Sequence, residues 1–381
     1  MNDYLNKEVQ LVSFAAPYPA DYGGVIDVFY KIKTLHQMGV KVHLHTYVYD
    51  AHQKSKELES LCASVHYYNR DFSHKYFQGW PYIVATRYNK QMMINIQRIG
   101  FPVILEGLHT CFLVDFLKDK SIPYVIRMHN IEWKYYQFLA ELEASFVKKK
   151  YFLEEARRLK SFEKCVHNSK ILAISAKDNA YFTESYPQAQ VIETPPFHQF
   201  EELQILTGRG EYALFHGNLS VNENEQAAIE LIEKVFLKNN FPLIIAGKNP
   251  TEKLLLAANA SRQIEVIANP DNAKMNDLMK KAHIHLIPNR QPTGVKIKWL
   301  NAIFSGRFII VHPDIFPDSV ESAGIYSIKI GPEMIEKIKE LNREDFSEEI
   351  IQQRNKWMEN KFNNENNMID VLKLLFATFK F

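Results

Sequence analysis

The segment Thr293-Gly294-Val295-Lys296-Ile297-Lys298-Trp299-Leu300-Asn301 carries the residue types and spacing with most chemical content. It follows an apolar run, Ile284 to Ile287, and leads into residues with helical apolar periodicity, so it reads as the loop between a strand and a helix. A helix start presents unpaired N–H groups and partial positive charge, which suit a diphosphate. Gly294 lets the backbone approach a ligand closely. On a helix, Gly294, Lys298 and Asn301 share one stripe, and Lys296 points elsewhere unless it precedes the first full turn. A lysine there can pair with phosphate and an asparagine can hydrogen-bond a ribose. The same residues also read as an ordinary surface helix with two solvated lysines.

Four further stretches place polar residues at the ends of apolar runs. Arg127-Met128-His129-Asn130-Ile131-Glu132 puts a histidine beside Asn and Glu at the carboxyl end of a strand, where it can contact a ligand or a reacting centre. Glu106-Gly107-Leu108-His109 follows another strand and offers His109 as a weaker candidate. Phe215-His216-Gly217-Asn218-Leu219-Ser220-Val221-Asn222-Glu223-Asn224 and Pro19-Ala20-Asp21-Tyr22-Gly23-Gly24-Val25 are glycine turns that either bring backbone amides to a ligand or simply begin helices.

The elements that must position these residues are strands alternating with helices. Val9 to Phe14 is a strand; Val25, Val28, Phe29, Ile32 and Leu35 mark one helix face; Gly39 caps that helix; Val40 to His45 is the next strand. Val103 to Leu105, Tyr124 to Arg127 and Ile171 to Ser175 extend the pattern, with a long charged helix predicted over Ala140 to Val166. Residues from about Glu193 to Gly210, including Pro195-Pro196, read as a linker. The rhythm then repeats: strands at Tyr212 to Phe215, Leu243 to Ala246, Glu265 to Ile267, Ile284 to Ile287 and Phe308 to Val311, with a helix over Glu225 to Leu237. The predicted fold class is α/β, with parallel sheets in a first domain over 1–195 and a second over 205–350. Residues 351–381 form a helical segment expected to pack back on the body. Two such units leave a cleft, and ligands bind at the carboxyl ends of parallel strands.

With 381 residues, 46% of them hydrophobic, the chain can fill two cores. A net charge of +2 gives no reason to expect nucleic acid as a partner. Cys62, Cys111 and Cys165 form no C-x-x-C pair, which argues against a disulfide framework or a zinc site. His43 and His45 alternate on one strand but lack nearby carboxylate or Cys partners for a metal. Lys148-Lys149-Lys150 and Arg157-Arg158 are interleaved with Glu141, Glu143, Glu154 and Glu155, the pattern of a solvated helix face. The polar start of the chain lacks a secretion signal, and no apolar run approaches about 20 residues. A cytoplasmic protein is expected, with room for peripheral contact at a membrane surface.

Together the four segments that begin at Pro19, Arg127, Phe215 and Thr293 resemble the retaining glycosyltransferases of GT-B fold, the glycogen-synthase-like or glycosyltransferase group 1 superfamily. That family often carries T-G-[IV]-K-x-K-x-L-E-A; here the residues read T-G-V-K-I-K-W-L-N-A from Thr293, with Asn301 where the family has a ribose-binding glutamate. Many members also carry a glutamate where this chain has Thr293, and a basic residue soon after the G-N-L-S turn, where none lies between His216 and Leu231. The matches run in family order from residue 19 to residue 307.

The resemblance implies two Rossmann-like domains and transfer of a sugar from a nucleoside-diphosphate sugar, UDP- or GDP-linked, to a glycan or glycolipid acceptor hydroxyl. It implies retention at the anomeric carbon and a role in polysaccharide or glycoconjugate synthesis. His129 and Lys298 are then the catalytic candidates. Gly23, Gly24, Gly217, Asn218, Thr293, Gly294, Val295, Lys296, Ile297 and Asn301 fall on the donor side, and Glu106, His109, Arg127, Asn130 and Glu132 on the acceptor side. No D-x-D motif occurs, Asp21, Asp27, Asp50, Asp71 and Asp115 being isolated, so neither metal nor cofactor is expected. Two alternatives stay open: a catalytically silent binding subunit that kept the fold, and a nucleotide-sugar epimerase.

Overall fold

The structure, a computed structural model, describes residues 4–50, 52–290, 294, 297–359 and 361–377. Thr293, Val295 and Lys296 lie outside the described residues, as does the side chain of Ile297. The described chain divides into two units. The first holds residues up to 199, Gly294 and residues from 361 onward; the second holds 200–290 and 297–359.

The first unit is built on strands β1 (Glu8–Val12), β2 (Lys41–Val48), β3 (Ser64–Asn69), β4 (Val103–Glu106), β5 (Tyr124–Met128), β6 (Lys170–Ala173) and β7 (Gln190–Glu193). They form one parallel sheet in the order β3-β2-β1-β4-β5-β6-β7. Side chains alternate along each strand, and helices cover both faces, so both must be apolar. Ile104 and Val125 pack with helix Gly23–Gln37 and helix Asn364–Phe376 on one face. Val103, Leu105, Tyr124 and Ile126 pack with Leu113, Leu117 and Leu159 on the other. Helix Gly23–Gln37 ends as its sequence predicts: Gly39 adopts φ 73° and its N–H bonds back to His36.

The second unit repeats the design with β8 (Ala213–Asn218), β9 (Leu243–Lys248), β10 (Ile264–Ala268), β11 (Ile284–Ile287), β12 (Phe308–Val311) and β13 (Ile325–Ser327). Its parallel order is β10-β9-β8-β11-β12-β13. Phe215, Ile245, Leu286 and Ile310 fill one face, and Leu214, Ile244 and Ala246 the other. Each sheet reverses its strand order once, between β1 and β4 and between β8 and β11, which are the switch points where such sheets take ligands.

Three expectations are corrected. The long charged helix is two helices, Glu132–Leu142 and Phe146–Phe162, because Glu143 turns extended and its carboxylate accepts from the Ser145 N–H at 2.8 Å. The stretch around Pro195-Pro196 is not free linker. Thr194 and Pro195 carbonyls accept from Arg127, and Phe197 is fully buried. The C-terminal segment is divided: helix Glu348–Glu359 belongs to the second unit and helix Asn364–Phe376 to the first.

Candidate functional site

At the switch point of the first unit, four charges and a histidine are packed out of water. Asp27 and Lys31 sit one turn apart on helix Gly23–Gln37, Glu106 ends β4, and Arg127 and His129 lie at the end of β5. Lys31 Nζ is 3.1 Å from Asp27 and 2.6 Å from Glu106. Arg127 donates to both Asp27 oxygens, from Nη2 at 3.0 Å and Nε at 3.1 Å. His129 Nε2 lies 2.9 Å from Glu106, and its Nδ1 lies 3.7 Å from Asp27. Asp27 also accepts from the Phe197 N–H at 2.8 Å.

Burial opposes the charged form of both acids. Arg127 and Lys31 overcome it at Asp27, and Lys31 and the His129 hydrogen bond overcome it at Glu106, so both carboxyls stay below their usual range. An ionised carboxylate only accepts, so Nε2 of His129 carries the hydrogen toward Glu106. The ring is thereby fixed in orientation and exposes only a small edge. Asp27, Glu106 and His129 offer three ligand atoms within 4.8 Å of one another, the spacing of a metal site. The ammonium of Lys31 already supplies the positive charge a metal would bring there.

This geometry revises several expectations. Glu106 and Arg127 are fully buried, so neither touches an acceptor: Glu106 holds His129, and Arg127 holds Asp27. Asp27 and Lys31 were missed by sequence reasoning, which treated Asp27 as an isolated acid. The available signal was an acid–base pair at i, i+4 sharing a helix with the apolar residues Val28, Phe29 and Ile32. Gly294 has φ 74° and lies outside the helix, which begins at Ile297, so the shared stripe is limited to Lys298 and Asn301. Its N–H is not free for a diphosphate: it donates to Asp178 Oδ2 at 3.2 Å. A Cβ at Gly294 would lie 2.1 Å from Asn130 Oδ1, so Gly294 and Asn130 are packed against each other. Gly24 is likewise a packing glycine, since a Cβ there would lie 2.7 Å from the Phe14 ring, and Gly23 begins the helix.

Glu132 is buried, and burial followed by the nearby Glu163 charge pushes its carboxyl up to about 8. The folded state therefore binds the proton more tightly than the unfolded chain, whose carboxyl titrates near 4.5. Stability is lost as pH rises between those values. Glu132→Gln is expected to melt above the wild type by a margin that widens from pH 4.5 to pH 8; thermal melts across that range check it, and a constant margin contradicts it.

The second unit's switch point carries a polar group at the ends of β8 and β11. Lys298 Nζ bonds to Asn289 Oδ1 and lies 3.3 Å from Asn224 Oδ1. Asn289 Nδ2 donates to the same Asn224 oxygen at 3.1 Å, and Asn224 Nδ2 donates to the Asn218 carbonyl at 2.9 Å. The ammonium also lies 4.8 Å above the Phe215 ring. Burial, then the Lys298 charge, pushes His216 down to about 3, so it is a neutral ring at neutral pH. Gly217 faces Gly247 across β8 and β9, where a Cβ on Gly247 would collide with the Gly217 carbonyl. Asn218 is exposed and accepts from the N–H and Oγ of Ser220, closing the turn. Asn301 is half-buried one turn beyond Lys298. Asn224 and Asn289 were not singled out from sequence; Asn224 lies in the turn region that was.

The basic run lies on a solvated helix face, as expected, and the fold fixes how its acids are used. Glu155 is buried and accepts from the Tyr82 N–H, and Glu154 is engaged by Arg157 and Arg158, so neither offsets Lys148, Lys149 and Lys150, which are exposed beside Phe146 and Val147. No helix among the described residues is long and apolar enough to cross a membrane.

No family model matches the chain. It is 27% identical over 331 residues to an uncharacterized 44.6 kDa protein in the cps region of Klebsiella pneumoniae, spanning 80% of this chain and 82% of that protein. Among solved structures it is similar to Anabaena HepE in complex with UDP, with TM-score 0.61 and 11% identity over 98% of this chain and 100% of that one. It is similar to TarM, with TM-score 0.57 and 10% identity over 97% and 99% of the two chains. The same holds for an α,α-trehalose-phosphate synthase (UDP-forming) from Burkholderia xenovorans, with TM-score 0.58 and 10% identity over 97% and 100%. These likenesses run through both units, and the fold is the GT-B fold.

Proposed function

We propose that the protein is a glycosyltransferase that moves a sugar from a nucleoside diphosphate to an acceptor hydroxyl on a glycan or glycolipid. The observation that carries this reading is the position of Lys298. Its ammonium is held by Asn289 and Asn224 at the switch point of the second sheet, where a parallel sheet takes a nucleotide. A fixed cation there stabilises the charge that builds on a departing diphosphate. The UDP in the HepE structure and the UDP-forming activity in the synthase's name favour a uridine nucleotide. Asn301, one turn along the same helix, would bond a ribose as a neutral group.

In this reading His129 presents a ring of fixed orientation to the transferred sugar. The balanced ion cluster behind it keeps that ring still, which limits the reorganisation needed during reaction. In this reading transfer proceeds with retention and without a metal, with Lys298 supplying positive charge to the departing diphosphate. The resemblance of the four sequence segments supports retention, and the Lys31 ammonium between Asp27 and Glu106 supports a metal-free reaction.

The test is a melting-temperature screen against UDP, GDP, ADP and their sugars, followed by transfer assays with the best donor in the presence of EDTA. A shift with UDP and an EDTA-insensitive rate are expected. Absence of any nucleotide-induced shift would favour a silent subunit, and conversion of the donor sugar without acceptor would favour an epimerase.

A further inference from the structure

A second group of cations lies at the carboxyl end of the first unit's sheet and takes no part in the ion cluster. Arg87 is only 4% exposed. Its Nε donates to the Phe14 carbonyl at 2.8 Å and its Nη1 to the Ile83 carbonyl at 2.7 Å. Among the described residues it forms no ion pair, and its Nη2 makes no hydrogen bond. Arg307, 5% exposed, also forms no ion pair among the described residues and donates to the carbonyls of Lys280, Ala282 and Thr207. Arg127 meets Asp27 head-on, and Arg354 spends its guanidinium on the carbonyls of Ala323, Ile303, Gly306, Arg307 and Gly324. A buried guanidinium left without a countercharge is costly, so its persistence calls for an explanation.

Arg70 lies on the same side. Its guanidinium carbon sits 4.7 Å above the Tyr49 ring and 5.9 Å from that of Tyr82, the residue before Ile83. It is half-buried and forms neither an ion pair nor a hydrogen bond among the described residues. His109 completes the group: its ring lies 5.0 Å from that of Phe14, and its buried Nδ1 has no hydrogen-bond partner among the described residues. Phe14 also contacts His129, with ring centres 5.5 Å apart, so these cations lie beside the proposed sugar-contacting histidine. Burial, with Arg70 next, brings Arg87 down to about 10, still charged at neutral pH. Glu132 also senses Arg87, but burial keeps that carboxyl protonated near neutral pH, so it contributes little countercharge.

We propose that Arg70, Arg87 and His109 form a binding site for an oxyanion, phosphate or carboxylate, carried by the acceptor. A guanidinium fork matches either group, and two unpaired guanidiniums beside an unpaired imidazole leave donors for a tetrahedral or planar oxyanion. The inference rests on the glycosyltransferase reading for the word acceptor, while the oxyanion site stands on its own geometry.

The test titrates the full chain with inorganic phosphate and, separately, with glucuronate, reading calorimetric heats and melting temperature. It is run in wild type, Arg70→Ala, Arg87→Lys and Lys298→Ala, the last removing phosphate binding at the donor side. Saturable binding of at least one anion is expected in wild type and Lys298→Ala, weakened at least tenfold in Arg70→Ala; the tighter anion identifies the oxyanion. Arg70 is half-exposed, so its variant is expected to melt like the wild type, and it decides the matter even if Arg87→Lys fails to fold. No saturable binding of either anion, or equal binding by Arg70→Ala, overturns the proposal. UDP binding without Arg70-dependent anion binding rejects this site alone, and anion binding without any nucleotide binding rejects the donor reading alone.

Discussion

Lys298→Ala is expected to lower kcat/KM for sugar transfer by about 100- to 1,000-fold, the scale of losing one preorganised charge at a developing anion. The side chain is half-buried and sits in a polar group rather than in the core, so the fold is expected to survive. The loss should fall mainly on kcat, because charge on the diphosphate grows as the glycosidic bond breaks. Lys298→Arg keeps the charge but cannot place a planar fork on the two asparagine oxygens that now hold a compact ammonium, so partial recovery is expected. Steady-state kinetics with the donor selected by the melting screen check this. Full activity in Lys298→Ala would remove the residue from the mechanism. A fall in kcat/KM confined to KM would make it a ground-state binding residue instead.

The second large effect concerns stability. Asp27→Asn leaves Lys31 and Arg127 buried with one carboxylate between them, and it is expected to destabilise the protein by about 3–5 kcal/mol. The asparagine oxygen can still accept from the Phe197 N–H, so the loss is one of charge balance rather than of shape. Lys31→Met on the same background restores balance with Glu106 and Arg127, and the double variant is expected to lose less than the sum of the single changes. Denaturant unfolding of the three variants measures this; strict additivity would show that the four charges do not act as a unit. Asp27 titrates below its unfolded value near 3.8, so its stabilising contribution is complete above that pH and lost only as the pH falls below it. At neutral pH the Asp27→Asn effect should therefore hardly vary with pH, unlike that of Glu132→Gln.

Much of the fold was legible because the central strands are buried on both faces and announce themselves as apolar runs. Val103–Glu106, Ile284–Ile287 and Phe308–Val311 are wholly buried and were readable from composition alone. The strands overlooked were β3, β7 and β13, which lie at sheet edges or are only three residues long. Ser64–Asn69 and Gln190–Glu193 are only partly buried, so their sequences lack a continuous apolar signal.

The site was legible in part for a related reason. Local sequence determined that His129 stands at a strand's carboxyl end, that Gly39 ends a helix, and that Lys298 rides the helix after β11, because each depends on neighbours within a few residues. Tertiary structure alone decided that Asp27, 100 residues from Arg127, is its ion partner, that Gly294 spends its amide on Asp178, and that Arg87 meets no countercharge among the described residues. Charge compensation in a buried site is a property of what the fold brings together, and no spacing along the chain encodes the distance between groups on different strands.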